Sequence, residues 1–128
     1  MNFGWLIAFG FLVLFMGGCA SKVPQTSLAT PEKTFETWRQ AASRLDMEAL
    51  LSTYSSSSRP MIEDELARST EDALRSMQKE TKKTRFEIER VLFENNIAYL
   101  RVRRRVGRAD EVEVLTMIKE GEDWKIQP

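Results

Sequence analysis

The hydrophobic period of this chain changes once, near Thr84, and no other feature limits its fold as strongly. Before that point apolar residues recur three and four apart, and after it they alternate. The first pattern buries a stripe of a helix and the second one face of a strand, so helices precede a sheet. Thr30-Pro31-Glu32-Lys33 predicts a helix start, with Thr as the cap, Pro in the first turn and Glu at the positive end. Phe35, Trp38, Ala41, Ala42 and Leu45 form its apolar stripe. Asp46 caps a second helix carrying Met47, Leu50, Leu51 and Tyr54, which implies a tight corner at Leu45-Asp46. The run Ser55-Ser56-Ser57-Ser58 reads as a loop, because serine is a weak helix former. From Pro60 a third helical stretch runs through Leu66 to Met77. Ser69-Thr70-Glu71-Asp72, a capping box, predicts a kink or two short helices within it. Glu63, Asp64 and Glu65 read as a solvated helix start, because no oxygen-ligand pattern surrounds them.

Four strands follow. Phe86 and Ile88 alternate with Glu87 and Glu89, and Val91-Leu92-Phe93 completes the first strand. Asn95-Asn96 marks a turn, Ala98, Leu100 and Val102 the second strand, and Gly107-Arg108-Ala109-Asp110 another turn. Val112, Val114, Thr116 and Ile118 form the third strand, and Trp124 and Ile126 a short fourth after Gly121. A three-residue first loop, Glu94–Asn96, sets Glu89 against Arg101 and Glu87 against Arg103. A five-residue second loop through residues 106–110 sets Arg105 against Glu111 and Arg103 against Glu113. Arg101, Arg103 and Arg105 would then stand between two acidic columns, each pair contributing roughly 0.2–1 kcal/mol. The fold class is therefore α+β: N-terminal helices packed on a curved four-stranded antiparallel sheet.

The 128 residues suffice for one such domain and are too few for two. Nineteen basic residues balance nineteen acidic ones, so overall charge steers the chain toward neither nucleic acid nor acidic partners. There is no histidine, which removes the usual base near neutral pH and the commonest metal ligand, and no cofactor or metal is expected. The single cysteine, Cys19, cannot form an intramolecular disulfide. Residues 3–18 carry no charge, and as a helix they would reach about 24 Å, short of the ~30 Å hydrocarbon core. That length suits a signal-peptide core. The small residues Gly17-Gly18 before Cys19-Ala20 resemble the lipobox of bacterial lipoproteins, although Met16 stands where that family most often has Leu. The resemblance implies removal of residues 1–18 and lipidation of Cys19. It places the protein in the bacterial cell envelope as a palmitate-type lipoprotein anchored to a membrane. With Ala20-Ser21 and no Asp after the cysteine, the outer membrane is favoured if the organism is Gram-negative. An uncleaved N-terminal anchor would tether the same domain. Residues 19–30, broken by Pro24, read as the lipidated end and a flexible tether, and residues 31–128 as the domain.

A second resemblance rests on Pro31-Glu32-x-x-Phe35-x-x-Trp38, on the helix pair joined at Asp46 and closing at Leu51-Ser52-x-Tyr54, and on the ending Lys119-Glu120-Gly121-Glu122-Asp123-Trp124-Lys125-Ile126. Together with the element order, these resemble the nuclear-transport-factor-2-like superfamily, also called cystatin-like or SnoaL-like cones. The resemblance implies a curved sheet wrapped around the first helix, with a pocket between them in some members. It also implies dimerisation through the exposed sheet, which is common in that superfamily. Members include isomerases and dehydratases as well as binding modules, and fold alone does not choose among them. The enzymes usually place Asp, His or Tyr inside the cone. This chain offers Tyr54, Tyr99, Arg90 and Arg104, with no acid–base pair at a meaningful spacing, and Arg90 reads first as the mark of a bulge or strand edge. The expectation is a non-catalytic envelope domain for binding or assembly. The alternative is a small-molecule-binding cone with Tyr54, Arg90 and Tyr99 lining the pocket. The basic run Arg101–Arg108 reads as a self-paired strand face rather than an anion-binding or nucleic-acid surface, because it lacks interleaved aromatics.

Overall fold

The computed structural model describes residues 27–128; Cys19 and the apolar segment before it lie outside the described residues. Four helices come first: α1 (Pro31–Arg44), α2 (Met47–Ser52), α3 (Arg59–Arg68) and α4 (Glu71–Lys83). They are followed by β1 (Arg85–Glu94), β2 (Ile97–Val106), β3 (Ala109–Glu120) and β4 (Asp123–Ile126). The strands form one antiparallel sheet in the order β1-β2-β3-β4.

Local chemistry sets the helix ends. Thr30 Oγ1 accepts the Lys33 N–H at 3.1 Å, and Asp46 Oδ1 accepts the Ala49 N–H at 3.2 Å. The corner between α1 and α2 is made by Leu45 in the left-handed conformation, φ 54°. The third helical stretch is indeed two helices, and Thr70 Oγ1 caps the second by accepting the Ala73 N–H at 3.1 Å. Helix α3 has no buried residue and no side-chain cap at Ser58, so it is the least anchored of the four.

The helices cover one face of the sheet. Phe35 of α1 packs with Ala98, Leu100, Val102, Met117, Trp124 and Ile126, while Ala41, Ala42 and Leu50 form a second cluster between helices. Trp38 and Tyr54 are half-buried against both clusters. The buried Thr34 hydroxyl donates to the Trp124 carbonyl at 2.8 Å and joins α1 to β4. The serine loop is tied to the same strand: the Ile126 N–H donates to Thr53 O at 2.7 Å, and the Ser55 hydroxyl donates to Gln127 Oε1 at 2.6 Å. Residues 27–128 thus contain both clusters and the bonds between helices and sheet, so this segment carries its own core.

Both expected hairpin loops are shorter than their sequences suggested. Glu94 pairs with Ile97 across Asn95-Asn96, and Val106 pairs with Ala109 across Gly107-Arg108. Two-residue turns match the strand twist but need left-handed backbone, here Asn95 at φ 55° and Gly107 at φ 57°. The first turn moves the register by one residue, and a bulge between Ile88 and Arg90 moves it back, so Glu87 faces Arg103 as expected. Glu89 is the extra residue of the bulge, and Arg90 rather than Glu89 faces Arg101. The second hairpin has no compensating bulge. Glu111 and Glu113 therefore face Arg104 and Val102, not Arg105 and Arg103. A one-residue slip exchanges the two faces of a strand. Val112 and Val114 consequently point away from the helices and are exposed, while Glu111 and Glu113 stand on the helix side with Arg104.

Candidate functional site

The helix-covered face of the sheet is not completely filled. A cavity of about 290 Å³ lies between Phe35 and Trp38 of α1, Tyr54, the middle of β3 and the chain after β4. Its wall is aromatic because α1 presents Phe35 and Trp38 one turn apart, stacked at 5.7 Å, with the Phe86 ring edge-on to both at 5.4 and 6.1 Å. Opposite this wall are Leu115 and Ile126, and the polar rim is formed by Arg104, Glu113 and Gln127.

The sheet edge contributes to the rim as well. β4 pairs with β3 only over Met117–Glu120, which leaves the preceding part of β3 as an open edge. The Thr116 carbonyl accepts the Gln127 N–H at 2.8 Å at this edge. Backbone groups alternate sides along a strand, so Val114, two residues away and also lining the cavity, presents its N–H and C=O to the same side. The cavity thus combines an aromatic wall with a backbone donor and acceptor, a guanidinium and a carboxylate. Arg104 is held toward Glu111 by a 3.2 Å hydrogen bond and lies 3.8 Å from Glu113.

Tyr54 sits deep in this wall, where its hydroxyl accepts the Trp38 indole N–H at 3.1 Å. Burial is the main reason its phenol is held above the usual tyrosine value; the indole bond pulls the other way and the Glu65 charge adds to the rise. Tyr54 therefore stays protonated at neutral pH, a hydrogen-bonding group rather than a base.

Of the three residues expected to line a pocket, Tyr54 does so. Arg90 and Tyr99 stand on the opposite face of the sheet, opposite Arg101 and Thr116 respectively. The bulge at Glu89 turns Arg90 outward, and Tyr99 alternates with the buried Ala98 and Leu100. Arg104, also noted in the sequence for its apolar phase, does face inward. Glu113, Thr116 and Gln127 had no sequence signal, since their role follows from the slipped register and the short β4.

The arginine ladder occupies the outer face. Arg103 donates to Glu89 and to Asp110, both at 2.9 Å, and Arg101 donates to Glu89 at 3.2 Å. Arg105 lies 3.8 Å from both Glu87 and Asp110. The acidic partners are thus Glu87, Glu89 and Asp110; Glu111 and Glu113 are on the other side. Hydrogen bonding from Arg103, then from Arg101, holds the Glu89 carboxyl below its ordinary value. Among the described residues no group of three or more His, Cys, Asp or Glu could hold a metal ion.

Residues 56–127 match the model of a family described as "Putative lumazine-binding". The chain belongs to that family. It is of the SnoaL and nuclear-transport-factor-2-like type, and the helices and four-stranded antiparallel sheet form a cone of that kind. The matched part of the cone begins in the serine loop, so α1, which supplies Phe35 and Trp38, precedes it. A comparison with curated proteins finds no match. Among solved structures, the cone resembles RPA3114, a SEC-C motif containing protein from Rhodopseudomonas palustris, with a TM-score of 0.55 and 12% identity. The alignment covers 88% of this chain and 84% of that one, and at this identity the likeness is one of fold.

Proposed function

We propose that this cone is a non-catalytic binding domain for a small planar heterocycle, held at the bacterial cell envelope by lipid on Cys19. The observation that carries the reading is the cavity between α1 and the sheet. Its volume of about 290 Å³ is just below the roughly 300–1,000 Å³ of ligand sites, which suits a fused ring system without a long substituent. Phe35 and Trp38 offer flat apolar surface to such a ring. The Val114 backbone, Arg104 and Glu113 offer donors and acceptors to an amide-bearing ring edge. The family description names lumazine, a ligand with both properties. A binding role rather than catalysis is supported by the chemistry of the site. Tyr54 keeps its proton, Arg104 and Glu113 lie close enough to neutralise each other, and the chain has no histidine. Placement at the envelope rests on the Gly17-Gly18-Cys19-Ala20 sequence. No helix among the described residues is long and apolar enough to cross a membrane.

The test is a titration of residues 27–128 with lumazine, followed by the quenching of tryptophan fluorescence. Saturable quenching is expected, weakened about tenfold in Arg104→Ala, which loses a charged donor worth about 1.4 kcal/mol or more. Absence of saturable binding, or an unchanged affinity in the variant, contradicts the reading.

A further inference from the structure

A second cavity, of about 260 Å³, lies among the helices on the other side of Trp38 and Tyr54. Its floor is aliphatic, with Leu50, Leu66, Leu74 and Met77 among its lining residues. The one charged side chain lining it is that of Glu65, which is exposed and therefore stands at the rim. The neighbouring Asp64 is engaged by Arg68 at 2.8 Å, whereas Glu65 is among the residues that line the cavity. Tyr54 and Glu65 both line this cavity.

We infer that this cavity is a second binding site, for an aliphatic ammonium compound. An alkyl chain matches the aliphatic floor. A carboxylate as the one charged side chain of the lining favours a cation through Coulomb attraction. The same carboxylate repels a fatty acid of equal chain length, so the site discriminates by head-group charge. A volume of about 260 Å³ suits one medium-length chain better than a two-tailed lipid. Helix α3 provides the way in. It carries Ile62, Glu65 and Leu66 at the cavity, buries no residue of its own and lacks a side-chain cap, so its displacement breaks few contacts. The inference is independent of any ligand in the sheet cavity, although Trp38 and Tyr54 border both.

The experiment compares n-octylamine, octanol and octanoate as ligands of residues 27–128, using amide and indole NMR shifts. The amine is expected to bind at least tenfold more tightly than octanoate, moving the signals of Trp38, Glu65 and Leu74. In Glu65→Gln, a change at an exposed position, the amine should lose about tenfold and the preference over octanoate should vanish. Ala73→Phe, which adds bulk at an exposed position of the cavity lining, should weaken amine binding and leave the lumazine titration unchanged. Equal affinity for amine and octanoate, amine binding unaltered by Glu65→Gln, or no binding of the amine overturns the inference. None of these outcomes bears on the sheet cavity, whose titration is separate.

Discussion

Replacing Thr34 by Val tests what holds α1 over the sheet and so keeps the sheet cavity in shape. The side chain is fully buried, and its hydroxyl donates to the Trp124 carbonyl at 2.8 Å across ninety residues of sequence. Valine keeps the shape and the helix propensity of threonine but offers no donor. The loss combines a net hydrogen bond, about 0.5–1.5 kcal/mol, with the cost of a carbonyl facing an apolar group, so about 2 kcal/mol is expected. For a domain of this size that lowers the melting temperature by about 8–16 °C. Thr53→Val is the matched control. Thr53 is equally buried, but its hydroxyl donates to the Leu50 carbonyl at 2.6 Å, and that carbonyl also accepts the Thr53 N–H at 3.1 Å. Its acceptor stays satisfied, and a loss of less than about 1 kcal/mol is expected. Thermal melts followed by circular dichroism make the comparison, with Thr34→Ser expected to recover most of the stability. Equal melting temperatures for the two valine variants would refute the claim that Thr34 joins helix to sheet.

Truncating Trp124, which is buried and packs edge-on against Phe93 at 5.5 Å, should destabilise the domain by about 3–5 kcal/mol, measured by urea denaturation. Because its folded pKa is depressed, Glu89 stabilises the fold above the ordinary carboxylate range, and that contribution is lost as pH falls through the folded pKa. Acid melts of Glu89→Gln should therefore slope less steeply with pH below about 4.3 than those of the parent. Arg103→Ala should leave the domain without salt-dependent affinity for anionic vesicles, as in the parent, because carboxylates already occupy this ladder; steep salt-dependent binding by the parent domain would contradict this. Cys19→Ala should yield uncleaved precursor that takes up no labelled fatty acid; a variant still processed and acylated would contradict lipid anchoring at this position.

The fold was legible because each element carries its own signal. Thr30, Asp46 and Thr70 announce their helices by capping chemistry, and the period change near Thr84 separates helices from sheet. The faces of β3 were not legible. Val112, Glu113 and Val114 alternate equally well in either phase, and only the two-residue turn at Gly107-Arg108 decides which set faces the helices. Arg90, a charge in phase with apolar residues, is the mark of the bulge, and that bulge is why the alternative placing it in a pocket fails. Tyr54 and Arg104 could be read from their apolar phase. The contribution of Gln127 and the Val114 backbone could not, because it depends on β4 ending early along β3.

The central claim is that a planar ligand lies between α1 and the sheet, and intermolecular NMR contacts test it most directly. With lumazine bound to residues 27–128, the account predicts contacts from its carbon-bound ring protons to Phe35, Trp38 or Leu115, together with shifts of the Val114 amide and the Arg104 guanidinium. Contacts confined to the outer face, at Tyr99, Val112 or Arg103, or the absence of any contact at saturating ligand, would contradict it.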